Sequence, residues 1–181
     1  MLIYFIGPGG AGKTTTAKLL VSQLGGKYYD LDEQFMLVEG HIGQYIAEYG
    51  YQQYAFWNIQ LFLQLQAKSE TQDIIIIVCS SGFMTYPNDI HKEYVETKNM
   101  IENYKFTFLL LPSLELEDCV REILIRQMKR AYLDVSEEKE ELKIRMRFQQ
   151  YVGLNCQRVL TDVIPNIVVS RIMRIIEGYD S

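Results

Sequence analysis

Residues Gly7-Pro8-Gly9-Gly10-Ala11-Gly12-Lys13-Thr14 constrain this chain more than any other segment. They follow a short apolar, β-prone run and precede an amphipathic stretch, and they match G-x-x-x-x-G-K-[ST], the Walker A pattern of a P-loop, in full. The glycines permit backbone conformations that aim several N–H groups at one point. That point adjoins the start of a helix, where partial positive charge favours phosphate. Nucleotide binding is the expectation. Gly7, Gly9, Gly10, Ala11, Gly12 and Thr15 would line the phosphates, Lys13 would neutralise the β- and γ-groups, and Thr14 would offer its hydroxyl to Mg²⁺.

Around this loop, apolar β-rich runs alternate with longer amphipathic ones, the mark of βαβ units and a parallel sheet. Strands are predicted at 2–6, 27–30, 74–79, 105–111 and about 158–164. The third and fourth are almost continuously apolar, as two-face burial requires. Helices are predicted at 13–24, 44–48, 52–69, 88–103, 114–131, 137–155 and 171–177. No repeat or linker interrupts the 181 residues, so the chain reads as one α/β domain, 1–181, with a five-stranded parallel sheet flanked by helices. The polar segment 132–141, between two basic helices, has the character of a flap within a lid at about 130–145.

With 48% hydrophobic and 23% charged residues the composition is that of a soluble globular protein. The net charge of -5 argues against general affinity for nucleic acid or an anionic membrane. Cys79, Cys119 and Cys156 are far apart and form no metal-ligand spacing, which fits a reducing cytoplasm. The apolar start has no basic leader, and no run nears the roughly 20 residues that span a bilayer. A cytoplasmic protein, monomeric or weakly dimeric, is expected.

Strand two ends in Asp30-Leu31-Asp32. Ligands of open α/β sheets bind beyond the carboxyl ends of the strands, so these carboxylates would lie beside the phosphate loop. In an extended chain they share one side. Asp30 would then serve the metal, and Asp32 would orient an acceptor hydroxyl and take its proton. The plainer alternative is that they cap the next helix. Arg121, Arg126, Lys129 and Arg130 precede the flap, and Arg145 and Arg147 follow it. Arg130 and Arg147 are read as bringing charge onto the transferring phosphoryl group, and Arg126 as stacking on adenine. Pairing of such arginines with Glu117, Glu122 and the glutamates of 138–141 is the competing use.

The phosphate loop, Asp30-x-Asp32, and the stretch Gly40-His41-Ile42-Gly43-Gln44-Tyr45-Ile46-Ala47-Glu48-Tyr49-Gly50 together resemble the shikimate kinase family. The resemblance covers most of the chain and implies a single-domain P-loop kinase, a transferase using ATP and Mg²⁺ to phosphorylate a hydroxyl of a small-molecule acceptor, with a closing lid. Where the family places an arginine for the acid substrate and a glutamate three residues on, this chain has Ala55 and Asn58. Ser80-Ser81-Gly82 stands for the glycine triplet after the third strand, and Arg147-x-x-x-Tyr151 keeps a second substrate arginine. Asp32, Phe56, Trp57, Ser81, Gly82 and Arg147 are the expected acceptor residues. The Ala55 change points to an acceptor less acidic or more apolar than shikimate. A nucleoside or nucleotide kinase, and a nucleotide-binding regulator without acceptor chemistry, are the alternatives. No N-K-x-D guanine signature is present.

Overall fold

The computed structural model describes residues 1–68, 73–128 and 136–179. Five parallel strands run in the order β2-β3-β1-β4-β5, with β1 (Leu2–Ile6) central, β3 (Ile75–Val78) and β4 (Thr107–Leu111) beside it, and β2 (Lys27–Asp30) and β5 (Gln157–Leu160) at the edges. Register pairs Tyr4 with Ile77 and with Thr107. Every residue of β3 and β4 is buried, which is why both read as almost continuously apolar, Thr107 being the one polar residue.

Strand alternation divides these side chains into two cores. Ile3, Phe5, Ile76, Val78, Phe108 and Leu110 face α1 (Lys13–Leu24) and α8 (Pro165–Tyr179) through Ala17, Leu20, Val169 and Ile172. Tyr4, Ile6, Ile75, Ile77, Leu109 and Leu111 face the other way. There they meet α4 (Tyr51–Ala67), α5 (Tyr94–Asn103), α6 (Leu116–Met128) and α7 (Glu137–Val152). Each such fully buried aliphatic or aromatic side chain contributes about 1.5–3 kcal/mol over exposure. A third, smaller cluster of Phe35, Tyr45 and Tyr54 packs α2 (Leu31–Glu39) and α3 (Ile42–Tyr49) onto α4.

Three sequence expectations change. The chain does not stay extended past Asp30: this last residue of β2 is also the N-cap of α2, accepting from the N–H groups of Asp32 (2.9 Å) and Glu33 (3.4 Å), as in the plainer alternative drawn from the sequence. An aspartate cap followed by two carboxylates in the first turn favours starting a helix here over continuing the strand. The acidic residues 137–141 are the opening of α7, capped by the Ser136 hydroxyl, so the flap does not extend into them. Residues 129–135, including Arg130 and the start of the expected lid, lie outside the described residues. Finally, β5 stops at Leu160, and Pro165 opens α8 earlier than expected, at a first-turn position where its missing N–H costs nothing.

Among the described residues no helix is long and apolar enough to cross a membrane. The three cysteines are free thiols, and Cys79 and Cys119 are buried.

Candidate active site

The phosphate loop leaves the central strand and turns back into α1. Gly7 has φ 134°, and a Cβ there would lie 2.3 Å from the carbonyl oxygen of Leu110, so only glycine passes this close to β4. Gly12 adopts φ 90° as the N-cap of α1, without a side-chain cap. The first-turn N–H groups of α1 are therefore presented to the loop's concavity, with the helix's positive end behind them. Ala11 is wholly buried in the α1 core and anchors the turn. Lys13 is also nearly buried, its ammonium donating to the carbonyls of Gly7 (2.7 Å) and Pro8 (2.9 Å).

The next residue links loop to strand two. The Thr14 hydroxyl donates to Oδ2 of Asp30, whose Oδ1 is spent on capping α2. Asp30 thus caps α2 and holds the phosphate loop at once. One hydroxyl and one carboxylate form a small set of hard oxygen donors, which suits Mg²⁺ bound mainly by water and phosphate oxygens. Among the described residues no cluster of three or more His, Cys, Asp or Glu side chains competes for a metal.

On the other flank, Gly10, Gly12, Thr15, Arg126, Thr161 and Pro165 border a cavity of about 320 Å³ that opens onto the loop. Arg126 reaches over from α6, donating to the Thr161 hydroxyl (3.1 Å) and carbonyl (2.7 Å), and at 3.5 Å to the Gly10 carbonyl. Its guanidinium plane is thereby fixed as a wall of the cavity. A larger hollow of about 590 Å³, bounded by Glu39, His41, Glu48 and Tyr49, lies on α2 and α3 away from the loop. Its two carboxylates, with no lysine or arginine to offset them, disfavour phosphate.

Beyond Asp30 side chains from α2, α4 and α7 meet at the carboxyl end of the sheet. From α2, Asp32 Oδ1 accepts a 2.7 Å hydrogen bond from the Tyr54 phenol of α4. From α7, Arg147 donates to the Tyr51 hydroxyl (2.9 Å) and to the Ser81 carbonyl (3.4 Å), and Tyr151 donates to the same carbonyl (2.8 Å). Gly82 sits beneath this junction, where a Cβ would come within 2.4 Å of the Tyr51 hydroxyl. Behind Tyr54 a buried polar chain runs through Ser80, which donates to Asn58 Oδ1 (2.9 Å) and lies 3.0 Å from the Tyr86 hydroxyl. The Asn58 amide nitrogen is buried without a partner among the described residues. Burial, opposed by Arg147, raises the Tyr51 phenol's pKa, and burial raises those of Tyr54 and Tyr86 well above the ordinary value. All three hydroxyls stay protonated at neutral pH.

Of the residues selected from sequence, Lys13, Thr14, Asp30, Asp32, Ser81, Gly82 and Arg147 are brought together at the carboxyl ends of the strands. Phe56 and Trp57 are not. Phe56 packs on His91 (centroids 5.1 Å apart) and Trp57 is exposed, because α4 turns Tyr51, Tyr54 and Asn58 toward the site and Ala55 into the core. Arg121 and Arg145 are engaged elsewhere: Arg121 pairs with Asp118, and Arg145 grips Glu117 by two bonds (2.6 and 2.8 Å) and Glu141 by a third. Gln127 was not expected at the site, yet its amide lies where a side chain at Gly9 would go, 2.3 Å from the position of a Cβ. Only the preceding residue, Arg126, carried a sequence signal.

No curated protein sequence matches the chain. Among solved structures, shikimate kinase from Acinetobacter baumannii in complex with shikimate superposes with a TM-score of 0.72 at 18% identity, covering 98% of this chain and 92% of that one. Shikimate kinase from Aquifex aeolicus gives 0.65 at 24% identity, covering 99% and 98%. Deoxyadenosine kinase from M. mycoides gives 0.59 at 19%, covering 98% and 100%. At such identities the likeness establishes the fold. The shikimate kinase family model, however, matches residues 9–174, nearly the whole chain and the site above apart from Gly7 and Pro8. The chain therefore belongs to the shikimate kinase family and is an ATP-dependent kinase of small molecules.

Proposed function

We propose that this kinase transfers the γ-phosphoryl group of Mg-ATP to a hydroxyl of a small acceptor that is uncharged or carries a single anionic group. The observation that carries this reading is the division of labour between neighbouring carboxylates: Asp30 turns to Thr14 and the phosphate loop, Asp32 to the acceptor wall of Tyr51, Tyr54 and Arg147. The N–H groups of the loop from Gly7 to Thr15 would hold the phosphates, and Lys13 would exchange its two loop carbonyls for the β- and γ-oxygens. Thr14 and Asp30 would hold Mg²⁺, which when bound neutralises charge on the phosphates. Asp32 would orient the acceptor hydroxyl and receive its proton. Arg126 would flank the adenine, and Arg147, Ser81 and Gly82 would border the acceptor. Arg130, by its place in the sequence, would add charge as the lid closes.

The acceptor's charge follows from Ala55. That side chain is wholly buried against the sheet core, so the place of the family's carboxylate-binding arginine is filled by packing. Arg147 is then the cation left on this wall among the described residues, and it already serves Tyr51 and Ser81. A single, partly engaged guanidinium suits a carboxylate poorly compared with a bidentate pair. A coupled ADP-release assay with Mg-ATP across polyols, sugars, nucleosides and hydroxy acids, shikimate included, tests this. Turnover is expected with a neutral acceptor at lower KM than with any dicarboxylate. Preference for the most acidic members would overturn it.

Arg126→Ala gives an independent check of the nucleotide side. Loss of one wall of the cavity is expected to weaken ATP binding about tenfold by titration calorimetry, equivalent to about 1.4 kcal/mol, while kcat at saturating ATP changes much less.

A further inference from the structure

We infer that Tyr54 is a positioning residue, holding the Asp32 carboxylate in the orientation from which it receives the acceptor. The inference rests on the role proposed for Asp32 and adds the device that fixes it. Asp32 and Phe35 lie three apart on α2 and so share a face. That face grips both ends of one side chain: the Tyr54 ring packs edge-on against Phe35, centroids 5.0 Å apart, and its hydroxyl donates 2.7 Å to Asp32 Oδ1. Tyr51 closes the other side of the ring, centroids 5.9 Å apart. Tyr54 is 6% exposed and Asp32 half-buried, so the ring's place is set by packing and the bond is partly withdrawn from water. A hydrogen bond to a charged group in such surroundings is stronger than one between neutral partners.

The consequence is directional. A carboxylate in the first turn of a helix rotates about two torsions, and with Oδ1 anchored by the phenol its remaining lone pairs are presented in one arrangement. Phosphoryl transfer depends chiefly on positioning and electrostatics, so losing that arrangement affects the transfer step more than nucleotide binding. The phenol is not spare: Ser80 lies against it from behind, and Ser80 is itself fixed by Asn58 and Tyr86.

Tyr54→Phe removes one oxygen and keeps the ring between Phe35 and Tyr51. Single-turnover ADP formation from Mg-ATP, with water as acceptor, is expected to slow about tenfold, while the Kd for ATP stays within about twofold of wild type. Proton NMR supplies a readout that needs no turnover. Wild type should show a slowly exchanging phenolic proton downfield of the exposed tyrosines, absent from Tyr54→Phe and shifted upfield in Asp32→Asn. A Tyr54→Phe variant as fast as wild type, or one whose ATP affinity falls in step with its rate, overturns the inference, as does absence of the downfield proton from wild type. Asp32→Asn separates the two layers. If it is inactive while Tyr54→Phe is fully active, the positioning role alone fails; if it is fully active, the role of Asp32 fails and the inference with it.

Discussion

Lys13→Met is expected to lower phosphoryl transfer by about a thousandfold while leaving the protein folded. The ammonium sits on the carbonyls of Gly7 and Pro8 within the loop, and in the role proposed for it would turn to the nucleotide's phosphates. Removing one preorganised charge from a transfer site costs about 10²–10³ in rate, and more where that charge meets the migrating group itself. Methionine fills a similar volume with an adaptable apolar chain and suits the nearly buried position. Two neutral carbonyls then lose a donor, at about 1–3 kcal/mol where water cannot replace it. Rate and stability are thus expected to separate: turnover by ADP release collapses, whereas thermal unfolding shifts by only a few degrees. A variant retaining more than a tenth of wild-type turnover would remove Lys13 from the transfer step.

The phosphate loop was legible in the sequence because its chemistry is local: glycines, a lysine and a threonine at fixed spacing specify their own backbone. Strands β3 and β4 were legible because burial on both faces leaves no polar residue in 75–78 or 108–111. Helix α2 was not, since it buries only Leu31 and Phe35 and leaves Met36, Leu37 and Val38 exposed, a run whose composition resembles a strand. The acceptor wall was harder still. Aromatic residues occur all round the start of α4, and Phe56 and Trp57 stood out because they lie between Ala55 and Asn58 in the sequence. What selects Tyr51, Tyr54 and Asn58 is helical phase, and the phase is set by Ala55, Ile59 and Phe62 seating against the sheet. Arg145 illustrates the same limit: the sequence offered both a place beside the lid and pairing with Glu117 or the glutamates of 138–141, and the pairing that forms depends on how α6 lies along α7.

The largest effect on stability is expected at Gly7, where a single methyl group would unseat the loop from the sheet. Gly7→Ala meets two independent obstacles. Its φ of 134° lies where a Cβ is strongly disfavoured, a strain of about 1–3 kcal/mol. A Cβ would also stand 2.3 Å from the Leu110 carbonyl oxygen, inside the fully buried strand β4, which cannot retreat without disturbing its pairing with β1 and β5. Overpacking of that kind costs about 1–3 kcal/mol more. Together they amount to about 4 kcal/mol, or a fall in Tm of about 8–16 °C for a domain of this size. ATP raises the Tm of the wild type by binding only the folded loop, and Gly7→Ala should lose most of that increment as well. Calorimetric scans of both proteins with and without Mg-ATP measure the two effects together. Gly12→Ala supplies the contrast: it shares the positive φ but has no heavy atom within 4 Å of the new Cβ, so its loss should be limited to the backbone strain. If the two variants melt at the same temperature, the close approach of the loop to β4 is not what confines position 7 to glycine.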